Sequence, residues 1–158
     1  MDHGPGGQNA GVPPEPLDDA HARPDGLSDD VVEAVGKLSE ALERVERARG
    51  ALYEFHQLIG GADALLDDVV DGLGRTGQHE LADRIRSELI GLNVLPGRWT
   101  FQVVEEFDAG YYATFRALEQ ATREQTTAGR RHVFEAELKQ RRRTRGRPGH
   151  EATPNQSP

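Results

Sequence analysis

A dense mixture of carboxylates and aromatic rings lies in a short stretch of this chain. Its members are Glu105, Glu106, Asp108, Tyr111 and Tyr112. Paired carboxylates can divide the acid and base roles of a reaction when their surroundings push their pKa values apart. Beside His56 and Trp99 these side chains would form a polar-edged pocket. The alternative, which the sequence favours, is a solvated acidic face whose aromatic rings turn into the core.

Motifs for metal binding or nucleophilic catalysis are missing from the sequence. A helical di-iron site needs Glu-x-x-His on two helices, whereas His132 and Glu135 stand alone and in the reverse order. The chain contains neither His-Glu-x-x-His, nor Gly-x-Ser-x-Gly, nor a Walker phosphate loop. The sequence therefore predicts no cofactor, no metal and no catalytic residue, and it favours a protein that is not an enzyme.

The run from Gly72 to Gly77 matches Gly-x-Gly-x-x-Gly in form. A dinucleotide site requires this motif between a strand and a helix, with an acidic residue about 20 positions later. Here the run follows a helical pattern, several aspartates crowd it, and Asn93 stands where the acidic residue belongs. A glycine-rich link between two helices is the favoured interpretation.

The last segment is strongly basic in an otherwise acidic chain. Residues 130–158 carry a net charge of +5, and the rest of the chain carries −13. The candidate nucleic-acid contacts are Lys139, Arg141, Arg142, Arg143, Arg145 and Arg147. The four residues Arg145 to Pro148 resemble the core of an AT-hook, which implies binding of an extended arm in the DNA minor groove. The alternatives are a cationic helix end and a tail that docks on an acidic protein surface.

The composition of the chain and its apolar runs also predict where in the cell the protein lies. The chain has 158 residues and no cysteine, which excludes disulfides and thiolate chemistry. Its start lacks the basic and apolar regions of a signal peptide, and no apolar run approaches the roughly 18 residues of a membrane span. We therefore expect a cytoplasmic protein without membrane contact.

One long helix must position most of these groups. Ser28 is a favourable N-cap ahead of two aspartates, and Gly60-Gly61 predicts the end of the helix. Between them apolar residues recur at alternating gaps of three and four, the spacing of a coiled-coil seam. The seam consists of Val31, Ala34, Leu38, Ala41, Val45, Ala48, Leu52, Phe55 and Ile59.

Shorter helices are predicted over 62–74, 78–91 and 109–126, with a last helix from about residue 130. Residues 98–107 fit either an extended segment or a short helix. Residues 1–27 form a predicted disordered, acidic, Gly/Pro-rich tail, and 143–158 a disordered, basic-to-polar tail around a helical domain over 28–142. The expected fold is mainly α: an elongated helical hairpin or bundle built on the heptad-patterned helix.

Three stretches carry a family resemblance, namely FHQLIGGADALLDDVVDGL, WTFQVVEEFDAGYYATFRALE and RRHVFEAELKQRRRTRGRPGHEA. Together they resemble an uncharacterised, mostly helical family of high-GC Gram-positive bacteria that has no assigned activity. The resemblance spans about 55–152. It implies a small cytoplasmic protein and no particular catalytic residues.

The leading functional hypothesis is a non-enzymatic helical interaction or scaffold protein that binds a protein partner or itself, with a homodimer through the seam as one form. One alternative is a nucleic-acid-associated protein that uses the arginine-rich tail. Another is a helical bundle that binds a small molecule or a metal through His56 and the 105–112 cluster.

Overall fold

The computed structural model describes residues 15–153, so the parts of the two predicted tails at 1–14 and 154–158 lie outside the described residues. In the described part the elements are α1 (Asp29–Arg75), α2 (His79–Glu88), α3 (Thr100–Phe107), a π-helical turn (Asp108–Tyr112), α4 (Ala113–Thr126) and α5 (Val133–Arg142). Within it, extended pairing is limited to one isolated bridge between Leu95 and Arg98. The mainly α prediction is confirmed.

Helix α1 begins where the sequence predicts. The Ser28 hydroxyl accepts a hydrogen bond from the Val31 backbone N–H at 3.4 Å, and Asp29 and Asp30 occupy the first turn. Carboxylates there interact favourably with the positive end of the helix dipole.

The predicted helix end at Gly60-Gly61 is wrong, because α1 continues unbroken to Arg75. The separate helix predicted over 62–74 is its last part. The apolar spacing explains why: the alternation of three and four runs on without a register shift through Ala62, Leu66 and Val69. Glycine lowers helix stability by about 1 kcal/mol relative to alanine, which is too little to end a helix that tertiary contacts support.

These two glycines are not needed for packing within the chain. A Cβ atom built on Gly60 or Gly61 meets no heavy atom within 4 Å, whereas one on Gly36 lies 3.0 Å from Phe134 Cβ.

We expect Gly60→Ala with Gly61→Ala to raise the free energy of unfolding by about 1 kcal/mol per site. Gly36→Ala is the matched control, since overpacking costs about 1–3 kcal/mol and cancels the gain in helix propensity. Chemical denaturation measures both, and equal effects would contradict this account.

The ambiguous segment before residue 108 is helical. The Gln102 side chain accepts a hydrogen bond from the Trp99 backbone N–H at 2.9 Å, which satisfies one free donor at the start of α3. The backbone then passes through the π-helical turn into α4, so the predicted helix 109–126 contains a π-helical start. The other predicted helices are shorter than expected, ending at Glu88 and beginning at Val133.

The chain divides into two compact units. Unit 1 joins Met1–Ala41 to Ala117–Pro158, and unit 2 is Leu42–Arg116. The predicted domain over 28–142 is thus shared between them. Buried apolar side chains are few: Val32, Val35 and Val133 in the described part of unit 1, and Val70, Ala82 and Val104 in unit 2.

Residues 15–27 lie within the predicted N-terminal tail, yet they make specific contacts in unit 1. The Arg23 guanidinium donates two hydrogen bonds of 2.7 Å to the Glu137 carboxylate. Arg130 donates to the backbone oxygen of Ala22 at 2.8 Å. The contacts of unit 1 therefore begin before residue 28, and they depend on charged groups rather than on apolar burial.

Candidate functional site

In unit 2, Arg49 contacts two of the residues predicted to form a pocket, Asp108 and Tyr112. Its Nε and Nη2 donate hydrogen bonds of 2.7 and 2.8 Å to the two oxygens of Asp108. Its guanidinium lies 5.0 Å from the ring centre of Tyr53 and 4.9 Å from that of Tyr112. Such distances are typical of cation–π contacts. Two of the seven predicted pocket residues are therefore already bound by a side chain of the protein itself.

This arrangement fixes the charge state of Asp108. The hydrogen bonds from Arg49 hold the pKa of Asp108 below its ordinary value of 3.8, although partial burial acts in the opposite direction. The pKa of Arg49 is raised by the same contact. A carboxylate that is ionised and bound twice to a guanidinium is a poor proton acceptor at neutral pH. The pair is thus suited to holding helices together and not to general base catalysis.

Tyr112 extends the same cluster. Its hydroxyl donates a 2.6 Å hydrogen bond to the carboxylate of Glu46, and this bond raises the pKa of the phenol above 10.0. The Tyr112 ring stacks on Phe107 with 6.3 Å between ring centres. Asp108 and Tyr112 therefore both bind α1, each through a different side chain of that helix.

His56 does not join the acidic cluster. Its Nδ1 lies 2.7 Å from the Thr100 hydroxyl at the start of α3. The neighbouring Trp99 is mostly exposed, and its ring meets Phe101 edge-on at 5.4 Å. Of the remaining predicted pocket residues, Glu106 pairs with Arg98 at 2.5 Å, while Glu105 and Tyr111 are exposed.

The sequence did not single out Arg49 and Thr100 as contact residues. One signal was present: Val35, Leu42, Arg49 and His56 are spaced by seven residues, so they share one line along α1. The first half of that line is apolar and the second half is polar. Periodicity alone does not reveal that its polar members bond to partners 44 and 59 positions away in sequence.

The link between Arg49 and Asp108 predicts a specific pH response. Because the pKa of Asp108 is lower in the folded than in the unfolded state, its contribution to stability is present above the ordinary pKa of 3.8 and is lost as the pH falls below it. We expect Asp108→Asn to lower Tm at neutral pH, and this difference from wild type to shrink at pH 3. Asp83→Asn is the control, because Asp83 forms an ion pair with Arg86 in which both side chains are exposed. This substitution should change Tm little at either pH. A difference in Tm that does not change with pH would contradict the assignment.

The second half of α1 exposes a row of large apolar side chains. Phe55, Leu58, Ile59, Leu65 and Val69, which we call the outer stripe, are separated by helical intervals that place them on one face. Leu58 is 65% exposed and Leu65 is 64% exposed. Of the described residues of the chain, thirteen of the fifteen exposed large hydrophobic residues belong to unit 2.

The predicted seam is not fully buried at any of its nine positions. Ala34, Ala48, Phe55 and Ile59 are exposed, and the other five are half-buried. The buried positions at the start of α1 are Val32 and Val35, which lie beside the seam. Within each unit, the packing contacts of α1 are thus made by residues beside the seam, and the seam itself stays partly exposed to solvent.

The arginine-rich segment is not uniformly exposed. Lys139, Arg141, Arg142 and Arg147 lie on the surface of unit 1, and Arg145 is half-buried. The Arg143 side chain is only 1% exposed, and it donates 3.0 Å hydrogen bonds to Glu15 and to the backbone oxygen of His150. Arg143 is therefore not presented on the surface together with the other basic residues.

The AT-hook-like core adopts turns in this structure. Gly146 has a φ of +73°, and the Arg147 backbone N–H bonds to the Thr144 carbonyl at 3.4 Å. An arm in the minor groove is extended, so DNA binding through these residues would require a different backbone conformation. Nucleic-acid binding by the segment stays a prediction.

The glycine-rich run 72–77 spans the last turn of α1 and the bend after it. The Thr76 hydroxyl donates to the carbonyl oxygens of Gly72 and Leu73, and Gly77 has a φ of +79°. The run thus ends a helix and follows no strand. Among residues 15–153, no three His, Asp or Glu side chains are grouped so as to hold a metal ion.

No family model, no curated protein and no solved structure matches the chain. The resemblance to a helical family of high-GC Gram-positive bacteria therefore stays a prediction. Each helix within 15–153 is too short or too polar to cross a lipid bilayer.

Proposed function

We propose that this chain is a non-enzymatic helical interaction protein that binds a second copy of itself through the outer stripe. The observation that supports the proposal is the exposed apolar row on the second half of α1. Contiguous apolar surface of this kind is unusual on a monomer and is typical of protein interaction sites. Five large side chains in helical register also provide the anchors that a helix-to-helix interface needs.

The small core of unit 2 supports an association that adds burial. Its buried apolar side chains are Val70, Ala82 and Val104, which are small or medium in size. Fully burying one Leu or Val contributes about 1.5–3 kcal/mol, so this core alone supplies little to offset the chain entropy of unit 2. Burial of the outer stripe against another chain would add several contributions of the same size.

The repeat itself favours an identical partner. A stripe with coiled-coil spacing is self-complementary under a two-fold axis, because the same residues then occur on both sides of the interface. The aspartates near the end of the stripe, Asp67, Asp68 and Asp71, point away from the stripe at the helical spacing, so their charges do not set the direction of pairing.

The mass of the protein in solution tests the proposal. Light scattering over a wide range of protein concentration should give about twice the chain mass of 17.4 kDa, with dissociation on dilution. A mass of one chain at every concentration would exclude self-association.

A further inference from the structure

A cavity of about 400 Å³ lies within unit 1. Its wall is made by Leu17, His21, His132, Glu135, Ala136, Lys139, Glu151, Ala152 and Thr153. This volume is in the range of small-molecule binding sites, which combine apolar walls with a few polar groups. The wall has that composition, since apolar Leu17, Ala136 and Ala152 alternate with charged and imidazole side chains.

One wall of the cavity is a single face of α5. His132, Glu135, Ala136 and Lys139 are separated by intervals of three and four, so they follow one another along that face. His132 stands immediately before the helix in a left-handed conformation with a φ of +58°. This conformation is uncommon for residues other than glycine and costs about 1 kcal/mol or more. The strain falls on a histidine at the cavity wall.

The opposite wall of the cavity is formed by the short N-terminal segment 15–23. At the start of this segment, the Gln140 side chain donates a 2.7 Å hydrogen bond to the backbone oxygen of Glu15. At its end, Ala22 and Arg23 contact α5 and the residues before it. Between these two points, His21 Nδ1 lies 2.6 Å from Asp18 Oδ1, which closes a turn. The segment is thus held at both ends, and the cavity lies between it and α5.

The charged groups of the α5 wall do not neutralise each other. Glu135 and Lys139 have the i,i+4 spacing and order that usually form an ion pair on a helix. Glu33 and Lys37 have the same spacing and order on the open surface of α1, and they pair at 2.5 Å. Among the contacts of the described residues, Glu135 and Lys139 form no salt bridge with each other, and Glu135 only approaches His132 at 3.9 Å. The two charges are therefore available to the cavity.

A second carboxylate is held at the cavity by the backbone. Glu151 Oε1 accepts a hydrogen bond from the Gly149 N–H at 2.9 Å. Bonds from backbone N–H groups, its own and that of Gly149, lower the pKa of Glu151, and Lys139 and His150 add to the effect. At neutral pH the wall therefore presents two carboxylates and one ammonium group.

We propose that this cavity binds a small zwitterion of the amino-acid type, with its ammonium group at Glu135 and Glu151, its carboxylate at Lys139 and its apolar part against Leu17 and Ala136. The Cβ atoms of an i,i+4 pair are about 5–6 Å apart, so one small molecule can reach both charges of the α5 wall. A purely anionic ligand would face two carboxylates, and a purely cationic one would leave Lys139 without a counter-ion. This inference concerns unit 1 and does not depend on self-association.

Calorimetric titration of the full chain with the twenty free amino acids tests the proposal, with L-leucine as the reference. Two compounds that each lack one charge of leucine, 3-methylbutylamine and 4-methylpentanoate, test the need for both groups. We expect saturable binding of at least one amino acid in the millimolar range or tighter, and at least tenfold weaker binding of both analogues. No saturable binding by any amino acid, or equal binding of leucine and either analogue, would overturn the proposal.

Two single substitutions locate the binding. Lys139→Met and Glu135→Gln alter exposed side chains, so the fold should persist, which circular dichroism checks. Each should weaken the binding of the best amino acid at least tenfold. Lys37→Met changes a lysine with the same i,i+4 spacing on α1 and should leave the affinity unchanged. Unchanged affinity in both cavity variants would show that the amino acid binds elsewhere and would overturn the proposal.

Discussion

The double substitution Leu58→Asp with Leu65→Asp is expected to convert the self-associated protein into a monomer. The two leucines are the most exposed members of the outer stripe, so their side chains contribute little to the fold of the single chain. In the proposed dimer each is buried, and burial of one leucine contributes about 2 kcal/mol. The two-fold axis doubles the loss, and four buried carboxylates without partners add to it. We expect the dissociation constant to rise by a factor on the order of a thousand or more.

The control for this experiment is Leu118→Asp. Leu118 is 61% exposed, which is close to the exposure of Leu58 and Leu65, but it belongs to unit 1 and lies outside the outer stripe. Leu118→Asp should keep the dimer mass, while the double variant should show the monomer mass with unchanged helix content by circular dichroism. An equal loss of mass in the control would mean that the association is general hydrophobic aggregation and not pairing through the stripe.

Cross-linking determines whether the two copies pair parallel or antiparallel. The sequence contains no cysteine, so introduced cysteines react on a clean background. A disulfide forms only when the two Cα atoms come within about 7 Å of each other. In an antiparallel dimer whose axis lies at the middle of the outer stripe, a chain carrying Phe55→Cys should cross-link to one carrying Val69→Cys, and neither should cross-link efficiently to itself. Self-cross-linking of each variant without the mixed product would indicate parallel pairing.

The mainly α fold could be predicted because it depends on local spacing. The heptad repeat and the N-cap at Ser28 placed the start of α1 correctly. Its end was predicted wrongly, because the local signal of Gly60-Gly61 was weighed above the repeat, which continues to Leu73. A diglycine costs about 2 kcal/mol of helix propensity, and contacts distant in sequence can exceed that cost.

The candidate site could be predicted only in part, since its contacts join residues far apart in sequence. Periodicity identified the seam, which shares only Phe55 and Ile59 with the outer stripe, and the line beside the seam was seen to turn polar at Arg49 and His56. Nothing local shows that Arg49 binds Asp108, or that Arg143 is buried beside Glu15. A charged residue near an apolar stripe has the same sequence pattern whether it is solvated or bonded to a distant element. Such pairings are seen only in the three-dimensional structure.

The other large effect is expected at Glu119, which is 4% exposed in unit 1. Its carboxylate accepts hydrogen bonds from Ser39 Oγ at 3.0 Å and from Arg123 Nε at 2.8 Å. Arg123 is itself largely buried and donates a further 2.9 Å bond to the backbone oxygen of Gly129. Glu119→Ala leaves this guanidinium buried without its counter-ion, a change that costs about 3–5 kcal/mol. Urea denaturation at neutral pH measures the loss.

Three further variants, Glu119→Gln, Arg123→Ala and the double variant Glu119→Ala with Arg123→Ala, separate the ion pair from simple loss of packing. Glu119→Gln keeps hydrogen-bond acceptors for Ser39 and Arg123 and should be less destabilised than Glu119→Ala. Arg123→Ala combined with Glu119→Ala removes both charges, so its destabilisation should be smaller than the sum of the two single effects. Additive effects would show that the two groups do not stabilise each other.

The pH dependence supplies an independent check on the same pair. Burial raises the pKa of Glu119, but the hydrogen bonds from Arg123 and Ser39 together outweigh it and hold the pKa below its ordinary 4.5. The ionised form is therefore the one that the fold stabilises, and its contribution is lost as the pH falls below 4.5. The difference in unfolding free energy between wild type and Glu119→Gln should shrink between neutral pH and pH 3. A difference that grows on acidification would mean that burial dominates and that Glu119 is protonated in the folded protein.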